Sequence, residues 1–523
     1  MNAREPHRAP VVVTVLICAF LTFPTLGARR KESISADDLA AGATADQSSG
    51  WQPFEENRGQ ADSGALFLTR GDGYAARLDA DGFDLLLAPA PGGPAAGHLR
   101  LDFAGATGSG SVLGEDPSPG VVNYLRGASP GGWIVGVPIF GAVKYADLYP
   151  GIDLTVSGNR RQLMLRFDLE SDSDPGAVTL HFDEDARTEI DPRTGDLLVG
   201  TAGATVRLRP PAGTAFTLES GAVTWSVSGA GPGEARTISM TLDRRLTGDP
   251  SGIAAVAPAL TDEEVTRVAV GSDGGTYVTG RALAIGADGA EAFVARYDRA
   301  DKRPIYTTYF GGSAEDVPLG LVVTANHEAI VGGWTRSTDF PIANALQPVL
   351  AGASGAFVLR LSADGATPIF STYLGGGGDE EARSVALGED GEIWIAGRTR
   401  SFSTLPRHAS TPAIGSGLRG GYDALVAALD GDGLRLLDAV DLGGIGDDSA
   451  EAVGLDSSGR VWIAGSSTSP DFPAPAAGAG PAPQGRAAGA SSSHAFVVAL
   501  DPDSLAPSFV SRIESGGTVT ATG

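Results

Sequence analysis

In the C-terminal half of the chain three short patterns return in the same order, the first two four times and the third three times, and no other feature limits the fold as strongly. An alternating run closing on glycine reads TYVTG at 276–280, AIVGG at 329–333, IWIAG at 393–397 and VWIAG at 461–465. A second run follows as AFVARY at 292–297, AFVLRL at 356–361, ALVAAL at 424–429 and AFVVAL at 495–500. The third, YTTYFGG at 306–312 and FSTYLGG at 370–376, weakens to LLDAVDLGG at 436–444. The equivalent residues Phe293, Phe357, Leu425 and Phe496 stand 64, 68 and 71 residues apart. A period this long, with its internal order kept, means one supersecondary unit copied four times.

Each copy reads as about four short antiparallel strands. ARSVALGEDGEIWIAGRT alternates apolar and polar residues about Glu389-Asp390-Gly391, and AFVLRLSADGATPIFSTYLGG does so about Ala363-Asp364-Gly365, both hairpin signatures. One such four-stranded unit has two uncovered faces and cannot persist alone. Stacking the units face to face around an axis buries a continuous core and leaves only short edges, which is the design of a β-propeller. A ten-residue landmark also recurs, GGWTRSTDFP at 332–341 and AGSSTSPDFP at 464–473, with the weaker AGRTRSFSTLP at 396–406. Its Asp and Pro are expected to fix a turn. Phe340 and Phe472 are expected to tuck a ring between neighbouring units.

The stretch GDDSAEAVGLDSSGRVWIAGSSTSPDFP resembles the bacterial β-propeller repeat family abbreviated SBBP, whose units carry a YLGG strand, a glycine-ended strand and a DFP turn. The resemblance covers about residues 254–517. The third copy departs from it, with Leu405-Pro406 in place of Phe-Pro and no aromatic pair in the strand ending at Gly444. Four copies are few for this family, so a small ring, an incomplete arc and a piece of a longer reading frame all stay open. Upstream, PFEENRGQ at 53–60 and NYLRGASPGGWIVGVPIFGAVKYADLYPGIDLTVSGN at 123–159 resemble the uncharacterised domain that commonly precedes these repeats in secreted bacterial proteins. That resemblance implies architecture and setting but no chemistry.

The rest of the N-terminal half, with runs such as HLRLDFAG, LMLRFDLE and AVTWSVSG, reads as strands of five to eight residues between close turns. It is expected to be an all-β, sandwich-like domain. At the start, Arg4 and Arg8 precede the apolar run VVVTVLICAFLTF and the small residues Gly27 and Ala28. This is the form of a secretory signal peptide, too short for the ~20 residues that span a bilayer. The expected organisation is a signal peptide over 1–28, a flexible spacer over 29–50, an N-terminal all-β domain over 51–250, propeller repeats over 251–517 and a tail over 518–523. Cys18 is the only cysteine and lies in the leader behind the bulky Ile17, which speaks against lipidation. The mature chain would then be held without disulfides.

With 38 Lys and Arg against 63 Asp and Glu the net charge is −25, so nucleic acid and anionic membrane are poor partners. The six histidines, His7, His98, His181, His327, His408 and His494, form no helical zinc motif. His181 alternates within a strand, where a lone histidine is an ordinary side chain. Gly127-Ala128-Ser129-Pro130-Gly131 matches a hydrolase elbow in letters only, since Pro130 has no N–H to serve as oxyanion donor. Asp79, Asp81 and Asp84, and likewise Asp430, Asp432 and Asp438, gather near glycines without the spacing or distal Glu of a calcium loop, so hairpin turns account for them. Glu315-Asp316, Asp379-Glu380-Glu381 and Asp447-Asp448 occupy the same place in successive units. In a ring they would form an acidic collar, able to hold Ca²⁺ or a basic ligand, or serving only as charges that keep strand edges from pairing.

These readings lead to an exported, non-enzymatic binding or scaffold protein of the cell envelope or extracellular space. Its partner would be a protein or glycan, with no cofactor beyond Ca²⁺ at the collar and no catalytic or metal residues assigned. Two alternatives remain. One is an extracellular hydrolase or lyase on polysaccharides or esters, with Glu315, Asp379 and Asp447 the residues to test. The other is a calcium-dependent adhesin.

Overall fold

The computed structural model describes residues 52–514 apart from 246–263, 402–420, 473–492 and several shorter stretches. The expected leader, spacer and tail, with Cys18, His7, His408 and the Leu405-Pro406 departure, lie outside the described residues. Among the described residues the architecture is all-β, interrupted by one short 3-10 turn at Pro130–Gly132.

The four copies are four antiparallel meanders. The first runs through Glu264–Val270, Thr276–Leu283, Ala290–Tyr297 and Pro304–Gly311. The second runs through Asp316–Val323, Ala329–Thr335, Gly355–Leu361 and Pro368–Leu374. The third comprises Glu380–Leu387, Ile393–Thr399, Asp423–Leu429 and Leu436–Leu442. The fourth comprises Asp448–Leu455, Val461–Ser467, His494–Leu500 and Pro507–Glu514. Units two, three and four are separate four-stranded sheets, and unit one is part of a larger sheet. The first strand of each unit lies across the first three strands of the unit before it.

Stacking explains why the strands read as unbroken apolar runs. Successive side chains of a strand point to opposite faces, and here both faces are covered. In unit three Ile393, Ile395, Leu425 and Ala427 enter the core shared with unit two, alongside Ile330, Val358 and Phe370. Their neighbours Trp394, Ala396, Val426 and Ala428 enter the core shared with unit four, alongside Ile463, Phe496 and Val498.

The glycine that closes each second strand has a steric cause. The first strand of every unit carries a β-bulge, with register breaks between Val265 and Arg267, Pro318 and Gly320, Ala382 and Ser384, and Ala450 and Ala452. The residue before each break pairs with Gly280, Gly333, Gly397 or Gly465. A Cβ at Gly333, Gly397 or Gly465 would run into the backbone oxygen of Val317, Glu381 or Ser449. The bulge pushes backbone into the space a side chain needs, and only glycine leaves that space empty.

The N-terminal region is built around one core that includes Phe54, Phe83, Phe103, Tyr145, Leu165 and Phe167. Phe103 meets Tyr145 edge-on with ring centroids 5.4 Å apart. Two long strands, Val112–Arg126 and Ile134–Tyr149, pair antiparallel across it. The YPG turn then reverses the chain into Ile152–Asn159, with Gly151 at φ +68°. The far end of the first long strand, Val121–Arg126, pairs in parallel with Tyr306–Gly311, the last strand of unit one. The sheet therefore runs unbroken from the N-terminal region into the repeats.

The bulge account separates two glycines of unit four. Gly465→Ala places a methyl against Ser449 O and the Phe496 ring, whereas a methyl at Gly454 meets nothing within 4 Å. In chemical denaturation Gly465→Ala should lose about 1–3 kcal/mol, the usual penalty of overpacking, and Gly454→Ala should stay within ~0.5 kcal/mol of the parent.

Candidate functional site

The acids expected to form a collar divide into two sets. Asp316, Glu380 and Asp448, each opening the first strand of its unit, are buried rather than displayed. Each is held in the same way. Asp316 accepts the Gly312 N–H at 2.8 Å, the Ser337 hydroxyl at 3.0 Å and the Thr335 hydroxyl. Glu380 accepts the Gly376 N–H at 3.1 Å, the Thr399 hydroxyl at 3.2 Å and the Ser401 hydroxyl. Asp448 accepts the Gly444 N–H at 2.9 Å and the Ser469 hydroxyl at 2.6 Å. Burial pushes all three carboxyls above their ordinary range, and these donors pull them back in part.

This lock explains the repeated landmark. Its Ser and Asp grip the turn that brings the chain in from the preceding unit. Ser313 N–H donates to Asp339 at 2.8 Å and Ala314 N–H to Ser337 Oγ at 2.9 Å. The equivalents are Ile445 N–H to Asp471 at 2.9 Å and Gly446 N–H to Ser469 Oγ at 2.8 Å. Phe340 packs edge-on to Phe310 of unit one and lies 4.7 Å from Phe357 of its own unit, so its ring does sit between neighbours. Phe472 stacks on Phe496 at 4.4 Å.

The outer acids are more exposed, and each is engaged on its own. Glu315 pairs with Arg281 at 3.2 Å and Arg336 at 3.1 Å. Asp379 accepts the Ser354 hydroxyl at 2.8 Å and faces Arg400 at 3.5 Å. Asp447 accepts the Tyr422 N–H at 2.9 Å. Glu381 lies between Arg383, at 2.8 Å, and Arg398. Among the described residues no group of three or more His, Cys, Asp or Glu side chains is placed to hold a metal ion. The other sequence candidates are parts of turns and strands. Asp79 and Asp84 flank Arg100, and Asp430 accepts the Leu434 and Arg435 N–H groups. Ser129 precedes the short 3-10 turn, and His181 is exposed on its strand.

Unit three breaks the pattern. Where Phe357 pairs with Tyr373 in unit two, Leu425 pairs with Asp441 in unit three, and Asp423 stands where unit two has Gly355. Asp423 and Asp441 are each 2% exposed. The Asp423 Oδ1 atom is buried without a hydrogen-bond donor. Burial, then the charges of Asp441, Asp448 and Asp471, push Asp423 up to about 7. The charge of His494 in unit four opposes the rise at Asp448.

A second buried polar cluster lies where the N-terminal region meets unit one. Arg70 Nη1 bonds Glu55 at 2.7 Å and Tyr124 Oη at 2.9 Å, and Arg70 Nη2 bonds Glu291 at 3.2 Å. Arg126 also pairs with Glu291, and the Tyr124 hydroxyl donates to Glu55. The Arg70 guanidinium lies 4.1 Å over the Tyr309 ring, which stacks on Tyr124 at 5.3 Å. Burial raises Glu55, opposed by Arg70 and Tyr124, and holds the Tyr124 phenol far above its ordinary value. Glu55 and Tyr124 belong to the two motifs noted in the N-terminal half. Nothing in the spacing of those motifs shows that they meet an acid of the first repeat.

Residues 54–221 match a family described as a domain of unknown function, DUF7948. No curated protein matches the chain. Among solved structures, one similar chain is a glycoside hydrolase family 81 protein from Clostridium thermocellum, at 11% identity and a TM-score of 0.25, covering 48% of this chain and 32% of its own. This chain thus spans about a third of that hydrolase. Another is a protein of unknown function from Dyadobacter fermentans, also at 11% identity and a TM-score of 0.25, covering 71% of this chain and 96% of its own.

Two outcomes follow from these clusters. Arg70→Met strips the buried Glu55 and Glu291 of a shared cation and should lose about 3–5 kcal/mol in chemical denaturation. Asp423 is an acid whose folded value is raised, so the folded chain binds the extra proton between about pH 4 and 7. Stability therefore falls as pH rises through that window. Asp423→Asn should match the parent only below about pH 4, where both states of the parent are protonated, and exceed it at pH 8 by on the order of 2–4 kcal/mol, in melts run across that range.

Proposed function

We propose that the protein is an exported, non-enzymatic binding or scaffold protein whose four stacked units are blades of a β-propeller, carried by the N-terminal β domain. What supports the reading most is the use to which the repeated acids are put. Each inner acid is consumed by an N–H and hydroxyls of its own joint, and each outer acid by an arginine or a turn. Glycosidic or ester hydrolysis by carboxylates needs at least one of them aimed at substrate with its proton controlled by environment. Acids engaged this way are structural cement. The basic, apolar and small-residue order of the N-terminus supports export, and the strand-for-strand equivalence of the units supports the propeller.

The mature chain, beginning at residue 29, should turn over none of a panel of polysaccharide and ester substrates. The triple variant Glu315→Ala, Asp379→Ala, Asp447→Ala should fold and behave identically in the same assays. Turnover by the parent that disappears in the triple variant would refute the non-enzymatic reading in favour of a propeller enzyme.

A further inference from the structure

The first strands of successive units lie beside one another along one edge of the stack. There Thr266 Oγ1 donates to Pro318 O at 2.8 Å, and Val453 N–H donates to Ser384 Oγ at 3.2 Å. The bulges release one residue per unit from the ladder on this edge: Thr266, Leu319, Arg383 and Glu451. Arg383 reaches from unit three to Glu451 of unit four at 2.7 Å. The residue after the bulge is Gly320 in unit two, Ser384 in unit three and Ala452 in unit four, and in unit one it is Arg267. Three copies need only a small residue there, so packing of the repeat does not call for an arginine.

Arg267 is half-buried, and among the described residues it has no carboxylate within ion-pair distance. Its guanidinium donates to its own chain, Nη1 to Thr266 O at 3.0 Å. Burial above all lowers its proton affinity, with Glu451 opposing and the charge of Arg383 adding to the effect. Glu451, the acid whose charge acts on Arg267, is committed to Arg383. Arg267 is thus left without a carboxylate of its own, in a chain whose overall charge is −25.

We propose that Arg267 binds a small oxyanion, a carboxylate or a phosphate, at this edge of the repeat stack. A guanidinium presents paired donors that match two oxygens of such a group, and the match strengthens where water is partly excluded. The ligand is small because a chain of net charge −25 repels extended polyanions. The inference names a ligand class for the binding reading above and rests on it. The turnover assays and the binding assay fail independently, so a loss of one is not a loss of the other.

The test is titration calorimetry of the full chain with inorganic phosphate and, separately, with galacturonate, against sodium chloride at equal ionic strength. Saturable binding of either anion is expected, weakened at least tenfold in Arg267→Gln and several-fold in Arg267→Lys, which keeps the charge but loses the fork. Phosphate alone would mark a phosphorylated ligand, and galacturonate alone an acidic sugar. Should Arg267→Gln fail to fold, Arg267→Lys carries the comparison. No saturable binding by the parent, or equal binding by the folded variants, overturns the proposal.

Discussion

A carboxylate removed from water at the start of the second, third and fourth repeated sheets sets the terms for the rest of this molecule. Burying an ionised acid without compensation is among the costliest things a fold can do. Asp316, Glu380 and Asp448 avoid that cost only because donors arrive from two other segments. One is the glycine N–H at the end of the preceding unit, and the other is the hydroxyl pair just beyond the second strand of the same unit. The lock closes only when a unit and its predecessor are both in place. That makes the joint between units directional and specific, where apolar faces alone would tolerate sliding.

The period, the strand content and the intercalated Phe340 were legible in the sequence because they are local or strictly repeated. The glycines at 333, 397 and 465 were legible as landmarks but not as consequences, since a bulge leaves no mark in composition. The acids were misplaced for a physical reason. Read along the chain, Glu315-Asp316 and Asp447-Asp448 are charged pairs at a strand end, the usual sign of an exposed rim. The hydroxyls that let the second acid of each pair go inside lie 19 to 21 residues further on. The Arg70 cluster was hidden by distance too, since Arg70 and Glu291 are 221 positions apart. Their meeting depends on the parallel pairing of 121–126 with 306–311, which no hairpin signal announces.

Unit three shows what happens when the repeat relaxes. In unit two the Tyr373 hydroxyl donates to Ser337 O at 2.7 Å and its ring abuts Phe340. Asp441 occupies the matching register in unit three, with Asp423 on the adjoining strand. Exchanging an aromatic plug for carboxylates trades a pH-independent contact for one whose strength depends on protons. The acid lock at Glu380 is retained in the same unit. The drift has therefore spared the device that orders the stack and changed the filling of the joint that follows.

The division between what drifts and what is kept runs through the geometry of a single strand. At the start of the first strand in units two, three and four the acid is tied by an N–H and hydroxyls, and any change there breaks a joint. A few residues on, the bulge frees a side chain from the ladder, so its identity changes without cost to strand pairing. Thr266, Leu319, Arg383 and Glu451 differ in size and charge accordingly, as do Arg267, Gly320, Ser384 and Ala452 beside them. A repeat protein can acquire a ligand only where its copies are free to differ. In this chain that freedom is concentrated at the bulges of the first strands, where four like sheets carry four different side chains.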